Sequence, residues 1–468
     1  MGTAASGDKG ILLGWASTSI TPDRPAQLCG QFHERISEFV HDPVTATALA
    51  ITSAEDAGVG GQAIIISCDL VLITAEVQER TRAALARRIP EFDPRMLFIS
   101  ATHTHTAPTL VDGWYPPPGP GVLSPGEYVT FLVERLVEVA GAAWNARQPA
   151  GVSWALARAV IGHNRRVQYG DGTAQMYGDT AKDGFLSLEG GEDSGIETLF
   201  CWSADRQLTG IVVNPACPSQ VVEMKNYISA DYWSEARRIL RERYGANLFV
   251  LPWCSAAGDQ SPRDMVRRNR GEPSFYSEAG LTEIGTRIAE AVDRAYSTAA
   301  ESIELRPVLR HVVEDLALPV RKVTPEEGEA ARAEYKKLVS TPNLDMQQNT
   351  WRVLRYKKVM DRFAAQETNP TFPVELHVLR LGDIAVATNP FELYLDYGLR
   401  IKARSKALQT FVVQLCSGCG GYLPTAKAVP GGGYSAMIYD NEVGPQGGQM
   451  LVDRTVALIN ALWENETK

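Results

Sequence analysis

The chain has 468 residues, and 46 Lys and Arg against 55 Asp and Glu give it a formal net charge of −9. Hydrophobic residues make up 44% and charged residues 22%, which is typical of globular proteins and excludes wholesale disorder. No apolar run approaches the ~20 residues needed to span a bilayer. The mild negative charge argues against nucleic acid or an anionic membrane as the main partner, so we expect a small-molecule ligand.

The N-terminus lacks a basic segment followed by an apolar stretch, so it does not resemble a secretory signal. The seven cysteines are an odd number scattered through apolar segments, a pattern typical of reduced, buried thiols. The pair Cys416 and Cys419 has redox or zinc spacing, but no second pair accompanies it. We therefore expect a cytoplasmic protein, and the sequence leaves open whether it forms a homo-oligomer.

Strand-like and helix-like segments alternate through the first half of the chain. Buried-strand patterns at 62–73 and 95–108 are separated by a helical pattern at 75–89, and a second helix is predicted over 127–146. The strand–helix–strand order recurs at 208–219, 232–245 and 247–259. This alternation predicts an α/β fold with sheets covered by helices.

The region 323–366 differs, because it predicts two charged amphipathic helices joined by a Pro-Asn turn. Strand-like segments return at 374–389 and 410–419. Glycine and proline cluster at 113–126 and 430–433, which predicts loops there. Neither loop flanks a change in composition, so no firm domain boundary is indicated.

The sharpest local signal is His103-Thr104-His105 at the end of a predicted strand. Residues i and i+2 of a strand point to the same side, so the two imidazoles can share a metal ion. Alternatively one binds metal and the other contacts substrate, or both lie on a solvated strand end. Spacing alone does not decide among these.

Three other segments carry polar groups near strand ends. Ser261 follows an apolar strand, where it is placed as a nucleophile, an oxyanion donor or an ordinary turn residue. Glu392 follows the strand-like segment 374–389, and its position there is compatible with a metal ligand, a general base or a solvated residue. Tyr422 and Tyr434 flank a glycine-rich loop and, taken alone, indicate packing residues.

Taken together, a series of motifs in chain order resembles the neutral/alkaline ceramidase superfamily, the zinc amidases that cleave N-acyl-sphingosines. The motifs are GWASTSITPD (14–23), HDPVTATALAI (41–51), SCDLV (67–71), SATHTHTAP (100–108), His163-Asn164-Arg165, AAGDQSP (256–262), NPFE (389–392) and GYLPT (421–425). Tyr434 follows Tyr422 by twelve residues, as a second tyrosine does in that family.

The resemblance implies a role for each matching residue. It implies zinc ligands at His103, Glu392 and Tyr422. It implies catalytic groups at His105, Ser261, Tyr434 and Arg165, with His105 on the substrate carbonyl or oxyanion. It further implies substrate binding by Gln31, Asp69 and Asp259. Zinc in such a site lowers the pKa of a bound water and polarises the amide carbonyl.

The chain departs from the family where a second zinc histidine is expected. The matching stretch, 213–220, contains no histidine, and Cys217 or Pro218 falls at that position. Cys217 can replace the ligand as a thiolate. Alternatively a metal, zinc or another divalent ion, is retained with water or Glu223, or the site holds no metal.

The resemblance implies central mixed β-sheets flanked by helices, in one catalytic domain over 1–468 with 323–366 as an inserted helical hairpin. The C-terminal β-sandwich domain that ceramidases carry is not expected. The function implied is a metal-dependent hydrolase that cleaves an amide bond in a small N-acyl substrate with metal-activated water. One alternative is a carbohydrate-active enzyme, a glycoside hydrolase or lyase that uses the same His, Glu and Tyr groups. Another is a non-catalytic binding protein.

Overall fold

A computed structural model describes residues 10–53, 60–272 and 275–464. The strands in chain order are β1 (Ile11–Ser19), β2 (Phe39–Val40), β3 (Thr45–Ser53), β4 (Gln62–Cys68), β5 (Leu97–Ala101), β6 (Gln148–Arg158), β7 (His163–Asn164), β8 (Arg166–Tyr169), β9 (Ala174–Met176), β10 (Phe185–Leu188), β11 (Gly195–Ser203), β12 (Leu208–Pro215), β13 (Tyr227–Ile228), β14 (Phe249–Pro252), β15 (Gln260–Ser261), β16 (Leu309–Pro319), β17 (Thr371–Leu381), β18 (Ile384–Thr388), β19 (Glu392–Leu393), β20 (Gln409–Val413) and β21 (Tyr422–Leu423). The helices are α1 (Ala75–Arg88), α2 (Pro125–Asn145), α3 (Tyr232–Tyr244), α4 (Met265–Asn269), α5 (Glu278–Ala299), α6 (Pro325–Val339), α7 (Met346–Ala365), α8 (Leu395–Arg404), α9 (Ala428–Gly431) and α10 (Pro445–Ala461).

Two mixed sheets form the centre of the molecule. The larger has eight strands in the order β14-β12-β11-β6-β1-β3-β4-β5. Its two outer pairs, β12 with β14 and β4 with β5, are parallel, and the inner pairs are antiparallel. The smaller sheet has the order β16-β17-β18-β20, with β18 and β20 parallel. The prediction of an α/β fold with mixed sheets is confirmed.

The two sheets pack against each other, and helices cover their outer faces. One cluster of buried side chains joins the inner faces, with Val212 from the larger sheet and Phe411 from the smaller. The helices α1 and α2 cover one half of the larger sheet, and α3 and α5 cover the other. The helices α8 and α10 cover the smaller sheet. The result is a layered arrangement in which strands such as β4, β5 and β18 are buried on both faces, which explains their continuous apolar patterns.

The pair of helices predicted over 323–366 consists of α6 and α7. Thr324 caps α6 in a capping box with Glu327, and Asp345 caps α7. The pair packs through a small cluster of its own, formed by Val323, Ala331, Val359 and Ile438. It therefore forms an outer layer attached beside the sheets.

Two local predictions differ from the structure. The segment 374–389 is a hairpin rather than one strand, because Gly382 has a φ of +59° and turns the chain between β17 and β18. The glycine-rich loop at 430–433 begins inside the short helix α9. None of the helices in the described ranges is long and apolar enough to cross a bilayer.

Candidate active site

The site lies where strands of both sheets end. His103 and His105 follow β5, whose parallel partner is β4. Glu392 and Tyr422 follow β18 and β20, and the short strands β19 and β21 pair them side by side in parallel register. Polar side chains from opposite halves of the chain thus meet at one edge, where loops leave the sheets.

His103 presents one ring nitrogen to the site. Its φ is +68°, a left-handed conformation that costs free energy for a residue other than glycine. Nδ1 lies 2.7 Å from the carbonyl oxygen of Val71, so Nδ1 carries the proton and donates it. Nε2 faces the site, 3.5 Å from Oε2 of Glu392 and 3.3 Å from Nε2 of His105.

Glu392 is a half-buried carboxylate held in its charged form. Burial by itself raises the pKa of Glu392, but the neighbouring His103 and Arg165 outweigh it and hold that pKa below its ordinary value. Arg165 lies 3.9 Å from Oε2 of Glu392. A carboxylate that stays ionised is suited to accept a proton.

Arg165 is a buried cation that ties the site together. Its Nη2 donates to the hydroxyl of Tyr422 at 3.3 Å and to the carbonyl of Gly258 at 2.9 Å. Its Nη1 donates to the hydroxyl of Tyr177 at 2.9 Å and to Oε1 of Gln220 at 3.3 Å. The guanidinium is therefore fixed behind the reaction centre rather than free to swing.

His105 lies between a glutamine and a glutamate. Its Nε2 is 2.7 Å from the amide nitrogen of Gln220, and its Nδ1 is 3.3 Å from Oε2 of Glu223. Burial, with smaller effects of neighbouring cationic groups, lowers the pKa of His105 well below its ordinary value. His105 is therefore a neutral imidazole at physiological pH.

These groups open into a cavity of about 350 Å³. Its walls are largely aromatic, with Trp114 and Trp351 edge to face at 5.4 Å and Phe32 edge to face with Tyr434 at 5.1 Å. The helix α7 contributes part of the wall, namely Trp351, Leu354, Arg355 and Lys358. The lining thus combines aromatic rings with charged and polar side chains, as in binding sites for small organic molecules.

The structure brings seven of the predicted residues together at this cavity. His103, His105, Glu392, Tyr422, Tyr434 and Gln31 line it, and Arg165 lies directly behind Tyr422. Gln31 donates to the backbone carbonyl and the side chain of Glu223, at 3.3 and 3.4 Å. Tyr434 packs edge to face on Tyr422 with ring centres 5.3 Å apart.

Ser261 and Asp259 lie beside the cavity rather than in its lining. Ser261 is buried, pairs across a short ladder with His163, and accepts from the backbone N–H of Arg263 at 3.2 Å. Asp259 accepts from Asn164 and from the backbone N–H of Leu395, each at 2.9 Å, and lines a second cavity of about 570 Å³. The predicted catalytic role of Ser261 and the predicted substrate-binding role of Asp259 stay predictions.

Asp69 lies elsewhere. Its carboxylate is fully buried and receives both arms of the Arg237 guanidinium, at 2.7 and 3.0 Å. Substrate cannot reach it, so the predicted binding role is corrected to a structural one.

Cys217 is not among the residues that meet at His103. Its Sγ lies 3.3 Å from the carbonyl oxygen of Ile161, and burial raises the pKa of the thiol well above its ordinary value. A buried neutral thiol is a poor zinc ligand, because the metal binds the thiolate. The side chain from this stretch that reaches the site is that of Gln220, whose amide nitrogen lies 2.7 Å from Nε2 of His105. Gln220, rather than Cys217, therefore lies where the second zinc histidine was expected.

The donor groups do not fit a zinc centre with three protein ligands. Within 10–53, 60–272 and 275–464, no three His, Cys, Asp or Glu side chains are grouped so that they could hold a metal ion. The carboxylate of Glu392 and Nε2 of His103 face the same space, but the Nε2 atom of His105 is engaged by the amide of Gln220.

Comparison with solved structures gives the class of fold. The chain is similar to neutral ceramidase from Pseudomonas aeruginosa, with a TM-score of 0.72 and 16% identity over 97% of this chain and 75% of that one. It is also similar to a ceramidase complexed with C2, with a TM-score of 0.69 and 15% identity over 98% of this chain and 77% of that one. No protein-family model and no curated protein matches the chain. The chain thus has a neutral-ceramidase-like fold.

Proposed function

We propose that the protein is a hydrolase that cleaves the amide bond of a small N-acyl substrate. The observation that carries this proposal is the meeting of an ionised carboxylate, a neutral imidazole and two tyrosine hydroxyls at the floor of one largely apolar cavity. The fold shared with ceramidases, which are amide hydrolases, supports it.

Glu392 and His103 would activate water. A water molecule held beside Oε2 of Glu392, which lies 3.5 Å from Nε2 of His103, faces an ionised acceptor. As its oxygen attacks the carbonyl carbon, its proton passes to Glu392. The C–N bond then breaks, and the same proton is returned to the departing amine nitrogen.

The tyrosines would stabilise the oxyanion. Burial raises the pKa of Tyr422 and of Tyr434 above the ordinary value, so both hydroxyls remain protonated donors. Arg165 donates to the Tyr422 hydroxyl, which polarises that group toward the developing negative charge. These donors are fixed before substrate arrives, which is the condition for effective electrostatic stabilisation.

A zinc ion was predicted from the resemblance, with His103, Glu392 and Tyr422 as its ligands. Bound there it would act as a Lewis acid on the carbonyl. Because the donor groups do not fit such a centre, no step of this proposal depends on a metal. The carbohydrate alternative has less support, since the two similar solved structures described above are ceramidases.

The test is release of free amine from a panel of N-acyl amino acids, N-acyl amines and short-chain ceramides. We expect amine release by the wild type and its loss in Glu392→Gln, which removes the charge and keeps the shape. Glu326→Gln, on the exposed first turn of α6, is the matched control and should keep full activity. Release of reducing sugar from glycosides without any amine release would overturn the proposal.

A further inference from the structure

Gln220 lies at the centre of the site, in the stretch where a zinc histidine was expected. Its side chain is buried, with 1% of the residue exposed. The amide spans two groups of the site, with its nitrogen 2.7 Å from Nε2 of His105 and its oxygen 3.3 Å from Nη1 of Arg165.

Arg165 fixes which way this amide points. A guanidinium only donates hydrogen bonds, so the atom that faces Arg165 must be the carbonyl oxygen of Gln220. The amide NH₂ must then face His105, and Nε2 of His105 must accept its hydrogen bond. The proton of the neutral imidazole therefore sits on Nδ1, which faces Glu223 at 3.3 Å. A lone pair that accepts this hydrogen bond is not available to a metal ion.

Arg165 also supplies positive charge where the predicted zinc ion would have supplied it. It donates to Tyr422 at 3.3 Å and lies 3.9 Å from Glu392, and these are two of the three groups that would bind zinc. A divalent cation on the same two oxygens would lie against a guanidinium that is always protonated. The carboxylate already has its counter-charge from the protein.

We infer that Gln220 and Arg165 together replace a metal ion at this centre. Arg165 supplies a fixed positive charge, and Gln220 is a positioning residue that holds His105 as the Nδ1–H tautomer. The inference concerns the centre of the proposed hydrolase, but it rests on hydrogen-bond geometry and can be tested without substrate.

The first test is zinc binding by the purified protein after dialysis against a chelator. We expect less than about one tenth of an equivalent of zinc by elemental analysis, and no saturable heat on titration with Zn²⁺ at micromolar protein. His103→Ala and His311→Gln are compared with the wild type. The second variant is the control, because His311 and His377 form another buried pair at 3.0 Å.

Binding of one zinc per chain that is lost in His103→Ala and kept in His311→Gln would overturn the inference. Binding lost only in His311→Gln would place the metal at the other pair and leave the inference standing.

The second test is the tautomer of His105, read from imidazole ¹⁵N resonances. The chain has only seven histidines, so the His105 signals are assigned by their absence in His105→Gln. We expect the Nδ1–H tautomer in the wild type. In Gln220→Glu the group facing Nε2 accepts instead of donating, so the proton should move to Nε2. The Nε2–H tautomer in the wild type would overturn the inference.

The two proposals fail separately. If no N-acyl compound releases amine, the hydrolase proposal fails, and the zinc and tautomer measurements still decide the present inference. If one zinc ion binds through His103, the present inference fails, but the proposal that the protein hydrolyses amides still stands.

Discussion

The buried ion pair between Asp69 and Arg237 allows a sharp test of whether Asp69 binds substrate or supports the fold. Both arms of the guanidinium reach the carboxylate, and the backbone N–H and hydroxyl of Thr45 donate to it at 2.9 Å each. Asp69→Asn leaves Arg237 buried without its counter-charge. We expect the free energy of unfolding to fall by about 3–5 kcal/mol, the usual cost of breaking a buried pair.

The size of the chain decides the assay. Unfolding entropy is about 2.1 cal/mol/K per residue, or about 1 kcal/mol/K for the whole chain if it unfolds as one unit. The expected loss therefore lowers Tm by only about 3–5 °C. Unfolding in urea, monitored by tryptophan fluorescence, measures the free energy more directly.

A double-mutant cycle isolates the pair. Arg237→Met should destabilise by a similar amount, because it leaves the carboxylate buried alone. The double variant should be more stable than the sum of the single losses predicts, by about 1–3 kcal/mol. KM should stay within about twofold in all variants that fold. A tenfold rise in KM for Asp69→Asn at unchanged stability would refute this reasoning and restore a substrate-binding role.

Three further outcomes are expected. Glu392→Gln should lower kcat by about 10²–10⁴-fold, as for loss of a general base, with an unchanged circular dichroism spectrum; a loss under threefold would exclude that role. The pKa of Glu375 is lowered to about 2, because hydrogen bonds from His377 and Arg82 outweigh burial. It therefore stabilises the fold above about pH 4.5, and that contribution, about 3 kcal/mol, is lost as the pH falls toward 2. Glu375→Gln should show an acid loss of stability smaller by this amount in urea titrations, and an unchanged acid profile would contradict the assignment. Trp351→Ala should raise kcat/KM for substrates with bulkier acyl groups by about tenfold relative to Trp351→Phe, and equal selectivity in the two variants would show that this wall does not limit the substrate.

Much of the fold follows from apolar patterning. The elements predicted in the first half begin within two residues of their predicted starts, but β4, β5 and β14 end five to seven residues before the predicted ends. The starts follow from continuous apolar runs such as those of β4 and β5, which are buried throughout. The helix α5 was not predicted, although its buried positions follow helical spacing. The turn at Gly382 was missed for a different reason, since a single glycine in an apolar run also fits a bulge.

The site shows where local pattern stops being informative. His103 and Glu392 both leave buried strands and line the same cavity, and their predicted roles as metal ligands stay predictions. Whether Cys217 or Gln220 faces the site depends on how the chain turns after β12. Several turn geometries are compatible with the sequence of this segment. The partner of Asp69 lies 168 residues away, so no sequence window contains the ion pair. A buried glutamine two residues after Pro218 carries no signal until its neighbours are known.

The small cluster that anchors α6 and α7 has a consequence for how such a protein can evolve. Val359 and Ala331 hold the pair together without contributing to the clusters beneath the sheets. Mutations on the cavity side of α7 can therefore alter which molecules fit while the reacting groups keep their places. In the proposed hydrolase, substitutions in α7 would change one wall of the cavity and leave the strand ends that carry His103 and Glu392 in place.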